Sequence, residues 1–168
     1  MRLMLGYVGL GSNVGDREAH LRAGLLAMAR GGVSPVAVSS MWEMEPVDGA
    51  GPGWFLNMVA RVSTDLAPEE ILAVLLAAER ERGRERRGPN APRELDLDVL
   101  TLGDLRSSTP HLTLPHPRMG SRRFVLAPLA EIAPEYALAL AALDDPHEAR
   151  RLGKLALPET LPVYSRAL

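Results

Sequence analysis

The alternation of hydrophobic and polar positions predicts six elements in the order strand, helix, strand, strand, helix, strand. The strands are predicted at residues 3–10, 33–42, 54–62 and 93–102. In these stretches aliphatic and β-branched residues dominate or alternate with polar ones, and turn-forming residues bound them. The first helix follows Asp16, which can serve as its N-cap, and ends at Gly31 and Gly32. The second helix begins at Pro68, a residue favoured in the first helical turn.

This order of elements is typical of an α+β fold with a ferredoxin-like βαββαβ core, in which helices pack on an antiparallel sheet. The chain of 168 residues contains no repeat or linker that would divide it, so we expect a single domain. Its core should span about residues 3–136, with residues 137–168 as extra C-terminal elements in a peripheral tail. Because many functions use this fold, the fold alone does not indicate an activity.

The last predicted strand carries two acids, Asp96 and Asp98, on one face, roughly 6–7 Å apart along the chain. Leu100 and Leu102 are expected to follow on the same face. Two like charges at the start of an apolar strand raise each other's pKa unless a cation lies between them. Carboxylate oxygens suit Mg²⁺, which completes its shell with water and substrate phosphates. The alternative is a strand end that carries two solvated acids.

An arginine-rich segment runs directly into this acid pair. Its six arginines are Arg80, Arg82, Arg84, Arg86, Arg87 and Arg93. Arginine forms bidentate, permanently charged contacts that suit phosphate oxygens, although three interspersed glutamates also fit a solvated helix end. Glu79 continues the apolar stripe of the second helix, so we expect it to serve structure or a site rather than solvent.

Three further features are candidates for chemistry, each with a structural alternative. Asn57 lies within an apolar strand and needs hydrogen-bond partners, which a ligand or the loop at residues 45–53 could supply. His116 lies between two prolines near several arginines and could bind an anionic oxygen, or be structural. The glycine-rich turn at residues 9–16 is a weak nucleotide signature, and a simple tight turn is the favoured interpretation.

Composition narrows the function classes. The chain has no cysteine, which excludes disulfides, thiolate metal sites and a cysteine nucleophile. A net charge of −2 and an aromatic content of 4% argue against an RNA-binding module of the same topology, which needs a basic face and exposed aromatic rings. The sequence contains neither a signal-type segment nor an apolar run of membrane-spanning length, so we expect a cytoplasmic protein.

Several short motifs occur together in one order. They are Gly11-Ser12-Asn13, Phe55-Leu56-Asn57, Arg93-x-Leu95-Asp96-Leu97-Asp98, Leu114-Pro115-His116-Pro117-Arg118-Met119 and Phe124-Val125-Leu126-Ala127-Pro128-Leu129. This set resembles the hydroxymethyl-dihydropterin pyrophosphokinase family of folate biosynthesis, over about residues 7–135. The resemblance implies transfer of diphosphate from ATP to the hydroxymethyl group of 6-hydroxymethyl-7,8-dihydropterin, with release of AMP.

The resemblance also implies roles for individual residues. The catalytic residues would be Arg84, Arg93, Asp96 and Asp98, with Asp96 and Asp98 binding two Mg²⁺ ions and the arginines lying on a mobile loop. ATP would be bound by Glu79, Arg84, Arg86, Arg93, Val99, Thr113, His116 and Arg122. The pterin would be bound by Met44, Glu45, Pro46, Val47, Phe55, Asn57 and Phe124. Leu76, Met44 and the stretch at residues 90–93, which lacks the family's usual tryptophan, depart from the family pattern.

The expected partners are therefore the small-molecule substrates ATP and hydroxymethyl-dihydropterin. We expect the protein to be a monomer that requires no protein partner and binds neither nucleic acid nor a membrane. A different two-metal nucleotidyl transferase could use the same Asp-x-Asp pair on the same fold. Its product would distinguish it, since a nucleotidyl transferase releases pyrophosphate and a pyrophosphokinase releases AMP.

Overall fold

The computed structural model describes residues 2–46, 53–84 and 91–161. Its strands are β1 (Met4–Ser12), β2 (Ser34–Val38), β3 (Met41–Met44), β4 (Phe55–Thr64), β5 (Asp96–Leu102), β6 (Ser107–Ser108), β7 (Thr113–Leu114) and β8 (Ala149–Gly153). Its α-helices are α1 (Arg17–Arg30), α2 (Pro68–Glu81), α3 (Arg123–Ile132) and α4 (Ala137–Ala141). Short 3-10 turns precede α3 and α4.

The main sheet has the strand order β5-β1-β4-β3-β8, and β2 pairs with β4 beside β3. Every pairing within it is antiparallel. Strand β1 therefore lies between β4 and β5, as a βαββαβ ferredoxin-like core requires. The α+β fold class predicted from the sequence is confirmed.

Helices cover both faces of the sheet. On one face, α1 and α2 bury a core that includes Leu10, Leu25 and Leu75. On the other face, α3 packs against a smaller cluster that includes Val59 and Leu100. The helix α1 begins as predicted, because the Asp16 side chain accepts a hydrogen bond from the Ala19 amide at 3.0 Å.

The stretch at residues 33–42, predicted as one strand, forms two. It is interrupted at Ser39 and Ser40, both fully buried. The Ser39 hydroxyl accepts a hydrogen bond from the Val59 amide at 2.9 Å and donates one to the Ser40 carbonyl at 2.8 Å. The side chain thus takes over bonds that a regular ladder would make, which divides the strand along β4.

The sheet register shifts between Tyr7 and Val8, which face Thr101 and Val99 respectively. Leu100 is therefore an extra residue on β5, as in a β-bulge. It packs under α3, whereas Leu102 returns to the core beneath α1 and α2. The expectation that both leucines follow the acid pair on one face is correct for Leu100 and wrong for Leu102.

The predicted tail contributes to the sheet and to the core. Its strand β8 pairs with β3 and forms an edge of the main sheet. Leu155 and Leu161 are 4% and 6% exposed and join the core on the α1 and α2 face. The Arg22 side chain also donates a hydrogen bond to the Ala156 carbonyl at 2.8 Å.

Candidate active site

Asn57 and the acid pair are brought to one face of the sheet by strand pairing. Gly11 on β1 pairs with Asn57 on β4 and with Asp96 on β5, so the three residues form one row across three strands. Gly9 pairs in the same way with Asp98 on β5. Directly paired residues point to the same face of a sheet. Gly9 and Gly11 therefore lie between β4 and the carboxylates, and they add no side chain of their own to this face.

The Asn57 side chain occupies the space above Gly11. A Cβ at position 11 would lie 2.7 Å from Asn57 Oδ1 and 3.6 Å from Cδ1 of Phe55. Asn57 is 6% exposed, and its Nδ2 has no hydrogen-bond partner among the described residues. A buried amide donor without a partner is costly, so this group is suited to a ligand that carries an acceptor.

Two arginines hold Asp96. Arg84 Nη1 donates to Asp96 Oδ1 at 2.7 Å, and Arg93 Nη1 donates to Asp96 Oδ2 at 3.0 Å. Arg84 also forms an ion pair with Glu79. The arginines predicted to bind phosphate thus lie beside the acids predicted to bind metal, and the two sets neutralise each other in this structure.

Asp98 has a different environment. Its carboxylate forms no hydrogen bond or ion pair with any residue in the described ranges. Burial raises the pKa of its carboxyl to about 6, and the neighbouring charge of Asp96 adds to the effect. Arg122, Arg84 and Arg93 act in the opposite direction. A nearby cation would remove this penalty on the charged form.

Glu79 lies in the last turn of α2 and is 7% exposed. Burial raises its pKa to about 7, which the nearby Arg84 charge opposes. Its Oε1 accepts a hydrogen bond from the Leu97 amide at 3.4 Å, between the two aspartates. The acid therefore connects the end of α2 to β5 and anchors Arg84.

Asn13 is a site residue that the sequence interpretation missed, since it treated residues 9–16 as a simple turn. Its side-chain Oδ1 accepts a hydrogen bond from the Arg93 backbone amide at 2.7 Å. Its backbone amide donates to the Arg93 carbonyl at 3.1 Å. The side chain is nearly fully buried. These two bonds fix the backbone of Arg93 three residues before Asp96. The sequence feature that could have indicated this role is an asparagine directly after a strand.

His116 and Arg122 lie on the segment that leads into α3, and Phe124 is the second residue of that helix. The His116 amide donates to the Leu100 carbonyl at 2.8 Å, and His116 Nδ1 accepts from the Arg118 amide at 3.2 Å. Burial and the charges of Arg122 and Arg118 lower the His116 pKa. The neutral ring therefore carries its proton on Nε2, where it can donate to an anion. The Arg122 guanidinium lies 5.1 Å from the centroid of the Phe124 ring.

The remaining predicted residues are distributed as follows. Phe55 is partly buried at the start of β4, near Gly11. Met44 is 3% exposed, while Glu45 is exposed and Pro46 is partly exposed. Val99 is buried in the core and Thr113 is exposed on β7. Val47 and Arg86 lie outside the described residues.

The fold and the site together define a class of enzyme. An antiparallel α+β sheet presents paired carboxylates, several arginines and a histidine at one end, which is the charge arrangement of a phosphoryl-transfer site. The family model for 7,8-dihydro-6-hydroxymethylpterin-pyrophosphokinase (HPPK) matches residues 7–134. The chain therefore belongs to this family.

Two bacterial relatives support the assignment over most of their length. The chain is 43% identical over 129 residues to the 2-amino-4-hydroxy-6-hydroxymethyldihydropteridine pyrophosphokinase of Bacillus subtilis, covering 76% of this chain and 77% of the relative. It is 41% identical over 133 residues to the Pseudomonas aeruginosa protein of the same name, covering 79% and 82%. A mitochondrial folate synthesis bifunctional protein of Arabidopsis thaliana is 42% identical, but the match spans 23% of it.

Solved structures agree on the fold. An HPPK-DHPS crystal structure in complex with substrates superposes with a TM-score of 0.65 at 11% identity and covers 84% of this chain. A Plasmodium falciparum HPPK-DHPS structure gives a TM-score of 0.66, also at 11% identity, and covers 83% of this chain. The match spans 43% of each of those longer chains. At this low identity, these structures support only the fold of this chain.

Proposed function

We propose that this protein transfers diphosphate from ATP to the hydroxymethyl group of 6-hydroxymethyl-7,8-dihydropterin and releases AMP, with two Mg²⁺ ions held by Asp96 and Asp98. Family membership makes the chain a pyrophosphokinase of folate biosynthesis that uses ATP as co-substrate. The observation that carries the finer proposal is the row formed by Asn57, Gly11 and Asp96. In this row the Asn57 amide, whose Nδ2 has no hydrogen-bond partner among the described residues, lies across the Gly11 backbone from the Asp96 carboxylate.

The acid pair has the chemistry that Mg²⁺ requires. Asp98 is partly buried, has a raised pKa and lacks an ion-pair partner among the described residues, as expected for a carboxylate that binds a cation. Mg²⁺ commonly takes one or two protein carboxylates and completes its shell with water and phosphate oxygens. Across the three described ranges, no group of three or more His, Asp or Glu side chains could hold a metal. When bound, Mg²⁺ would neutralise phosphate charge and polarise the reacting oxygens.

The arginines would bind the triphosphate. Arg84 and Arg93 share the single Asp96 carboxylate in this structure. A cation at Asp96 would compete for those oxygens and release both guanidinium groups from this carboxylate. Their geometry is well suited to phosphate. His116 and Arg122 would complete the phosphate contacts from the α3 side. Glu79 would keep Arg84 at the site during this exchange.

The pterin would lie beside the Asn57 amide, between the Phe55 and Phe124 rings. Asn57 Nδ2 would donate a hydrogen bond to an acceptor on the edge of the pterin ring. The backbone of residues 44–47 would form hydrogen bonds with the remaining polar groups of that edge. This placement directs the hydroxymethyl group toward the acid pair, because Asn57 and Asp96 flank the same glycine. Binding both substrates in line converts the reaction into an effectively intramolecular one.

The reaction forms a bond between the hydroxymethyl oxygen and the β-phosphorus. The bond from the β-phosphorus to the oxygen it shares with the α-phosphorus breaks, and AMP leaves with that electron pair. The hydroxyl proton is released overall to solvent. The contribution of the protein is to position the reactants and to stabilise charge on the phosphate oxygens.

None of the helices in the described ranges has the length and hydrophobicity needed to cross a bilayer. We propose a single-domain, monomeric enzyme of the cytoplasm, where its substrate ATP is available. Val99 and Thr113 would lie near the nucleoside, and Arg86 would add to the phosphate contacts. These roles rest on the motif resemblance.

Analysis of the reaction products tests the proposal. The protein is incubated with ATP, Mg²⁺ and 6-hydroxymethyl-7,8-dihydropterin, and the nucleotide products are separated. AMP together with a diphosphorylated pterin is expected. ADP as the nucleotide product would contradict diphosphate transfer, and free pyrophosphate would indicate a nucleotidyl transferase.

A further inference from the structure

We infer that residues 145–151, in the predicted tail, position both walls of the pterin site. We call this stretch the strap. It is bonded at one end to the start of α3, which carries Phe124, and at the other to the end of β3, where Met44 is the last residue and Glu45 follows. The inference rests on the proposed function, because it takes these two elements as the walls of the site.

At its first end, the strap caps α3. Asp145 Oδ2 accepts a hydrogen bond from the Arg123 amide at 3.1 Å, and Arg123 Nη2 donates to the Asp145 carbonyl at 3.0 Å. Arg123 is the first residue of α3, and the preceding residue, Arg122, makes no capping bond with its own side chain. Asp145 therefore supplies from a distance the acceptor that an N-cap residue would usually provide. Phe124 follows Arg123 directly, so this bond fixes the turn on which the ring lies.

At its other end, the strap extends the β3 ladder. The Glu45 amide donates to the Glu148 carbonyl at 3.0 Å, and the Glu148 amide donates to Glu45 Oε2 at 3.1 Å. Ala149 then pairs with Met44 and Arg150 with Glu43. Residues 44–47 are the segment proposed to read the pterin edge, and Glu45 lies beyond the last residue of β3. The strap holds the described part of this segment from one side, and the pairing of Met44 with Phe55 on β4 holds it from the other.

The two ends are close together along the chain. Only two residues separate Asp145 from Glu148, a span of at most about 10 Å between their Cα atoms. Within this span, the His147 backbone amide donates to Asp145 Oδ1 at 3.0 Å, and Nδ1 of the His147 ring forms a hydrogen bond with the same oxygen. These bonds, together with that of Arg123, lower the pKa of Asp145 despite its burial. A short segment bonded at both ends transmits a displacement of one wall to the other.

Polar contacts, rather than apolar packing, connect the strap to both walls of the site. Glu148, Arg150 and Arg151 are exposed, and Leu152 is 45% exposed. Arg150 lies 5.6 Å from the centroid of the Trp54 ring, which directly precedes Phe55. The strap therefore also contacts the residue that leads into β4, the strand that carries Phe55 and Asn57. An edge strand that only covered the sheet would not need bonds to α3 and to Trp54.

Pterin binding by the full-length Asp145→Ala protein tests the inference. Calorimetry without ATP is expected to show a dissociation constant raised about tenfold, since a lost helix cap and its paired bonds are of that order. Asp144→Ala, the same change at the adjacent exposed position, should leave the constant within about twofold. Asp145→Asn keeps one acceptor oxygen and should give an intermediate value, which provides a folded variant if Asp145→Ala does not fold.

A second control separates positioning from loss of stability. Glu70 accepts a hydrogen bond from the Ala67 amide at 2.8 Å and so caps α2 at the end away from the site. Glu70→Ala should lower the melting temperature to a similar extent and leave pterin affinity unchanged. An unchanged affinity in both Asp145 variants would overturn the inference. Asn57→Ala is measured in parallel: if it weakens pterin binding while Asp145 variants do not, only the strap is wrong. If it too has no effect, the proposed pterin site itself is wrong.

Discussion

Gly11 and Asn57 face each other across β1 and β4, and the side chain of Asn57 fills the space that a Cβ at position 11 would need. The closest approach would be 2.7 Å, to Asn57 Oδ1, a distance that real Cβ atoms essentially do not show. A methyl group at position 11 must therefore displace the Asn57 amide. The glycine is required by a contact across the sheet rather than by its backbone conformation.

Gly11→Ala should weaken pterin binding more than ATP binding. The displaced amide would lose its alignment with the ligand, and we expect the pterin KM to rise by about tenfold or more, the usual cost of one misplaced buried hydrogen bond. Steady-state kinetics with each substrate varied in turn measures this. Gly9→Ala is the matched control, because a Cβ there would make only ordinary contacts of 3.7 Å with Leu100. Equal effects of the two variants on the pterin KM would contradict the relationship.

Asn13→Ala should lower both stability and turnover. It leaves the Arg93 amide without its acceptor, and we expect a loss of about 1–3 kcal/mol in the free energy of unfolding. Arg93 would also lose its alignment with Asp96. Asn13→Asp retains an oxygen at the Oδ1 position and should recover most of the stability. Denaturant unfolding and turnover are compared for the three proteins, and an Asn13→Ala protein with both values unchanged would show that the Asn13–Arg93 bridge is dispensable.

Asp98→Asn should separate the stability of the fold from the binding of Mg²⁺ and nucleotide. At pH 8 the substitution removes a partly buried charge that is repelled by Asp96, so the melting temperature should stay constant or rise. Mg²⁺ with a non-hydrolysable ATP analogue should stabilise the unsubstituted protein and have little effect on the variant. Thermal unfolding with and without these ligands measures both effects. Asp104→Asn, an exposed change beyond β5, should behave like the unsubstituted protein. A lower melting temperature for Asp98→Asn would show that Asp98 stabilises the metal-free fold.

Glu79→Gln should change how stability depends on pH in metal-free protein. The pKa of Glu79 is raised from 4.5 to about 7, mainly by burial, so the folded state binds this proton more tightly than the unfolded state. The contribution of this bound proton to the free energy of unfolding is fully present below about pH 4.5 and is lost as the pH rises to about 7. Glutamine is neutral throughout, so the variant should gain roughly 1–3 kcal/mol relative to the unsubstituted protein between pH 5 and pH 8. Parallel stability curves for the two proteins would contradict the raised pKa.

The hydrophobic pattern was enough to predict the order of elements and the fold, because strand alternation and helix periodicity are local properties. It could not predict the division of residues 33–42, which depends on a bond between Ser39 and the distant Val59. Nor could it predict the position of Leu102, since the extra residue at Leu100 arises from the pairing with β1. Both differences come from contacts between strands far apart in the chain.

The same limit applies to the site. The proximity of Asp96 and Asp98 follows from their spacing on one strand. The residue pattern also indicated the arginine-rich segment, Glu79, Asn57 and His116, and the resemblance supplied the remaining candidates. The roles of Asn13 and Asp145 depend on bonds spanning 80 and 22 residues, which no local pattern reveals. A tail rich in alanine and leucine gave no sign that one of its acids caps α3.

The most direct test of the acid pair is the rate of AMP formation by Asp96→Ala and Asp98→Ala proteins at saturating Mg²⁺, ATP and pterin. Circular dichroism would first establish that both variants are folded. The unsubstituted protein should release AMP, and each folded variant should release it at least about a thousandfold more slowly, since charge stabilisation at the phosphates would be lost. A variant that forms AMP at a near-normal rate would contradict the assignment of Asp96 and Asp98 as the magnesium site.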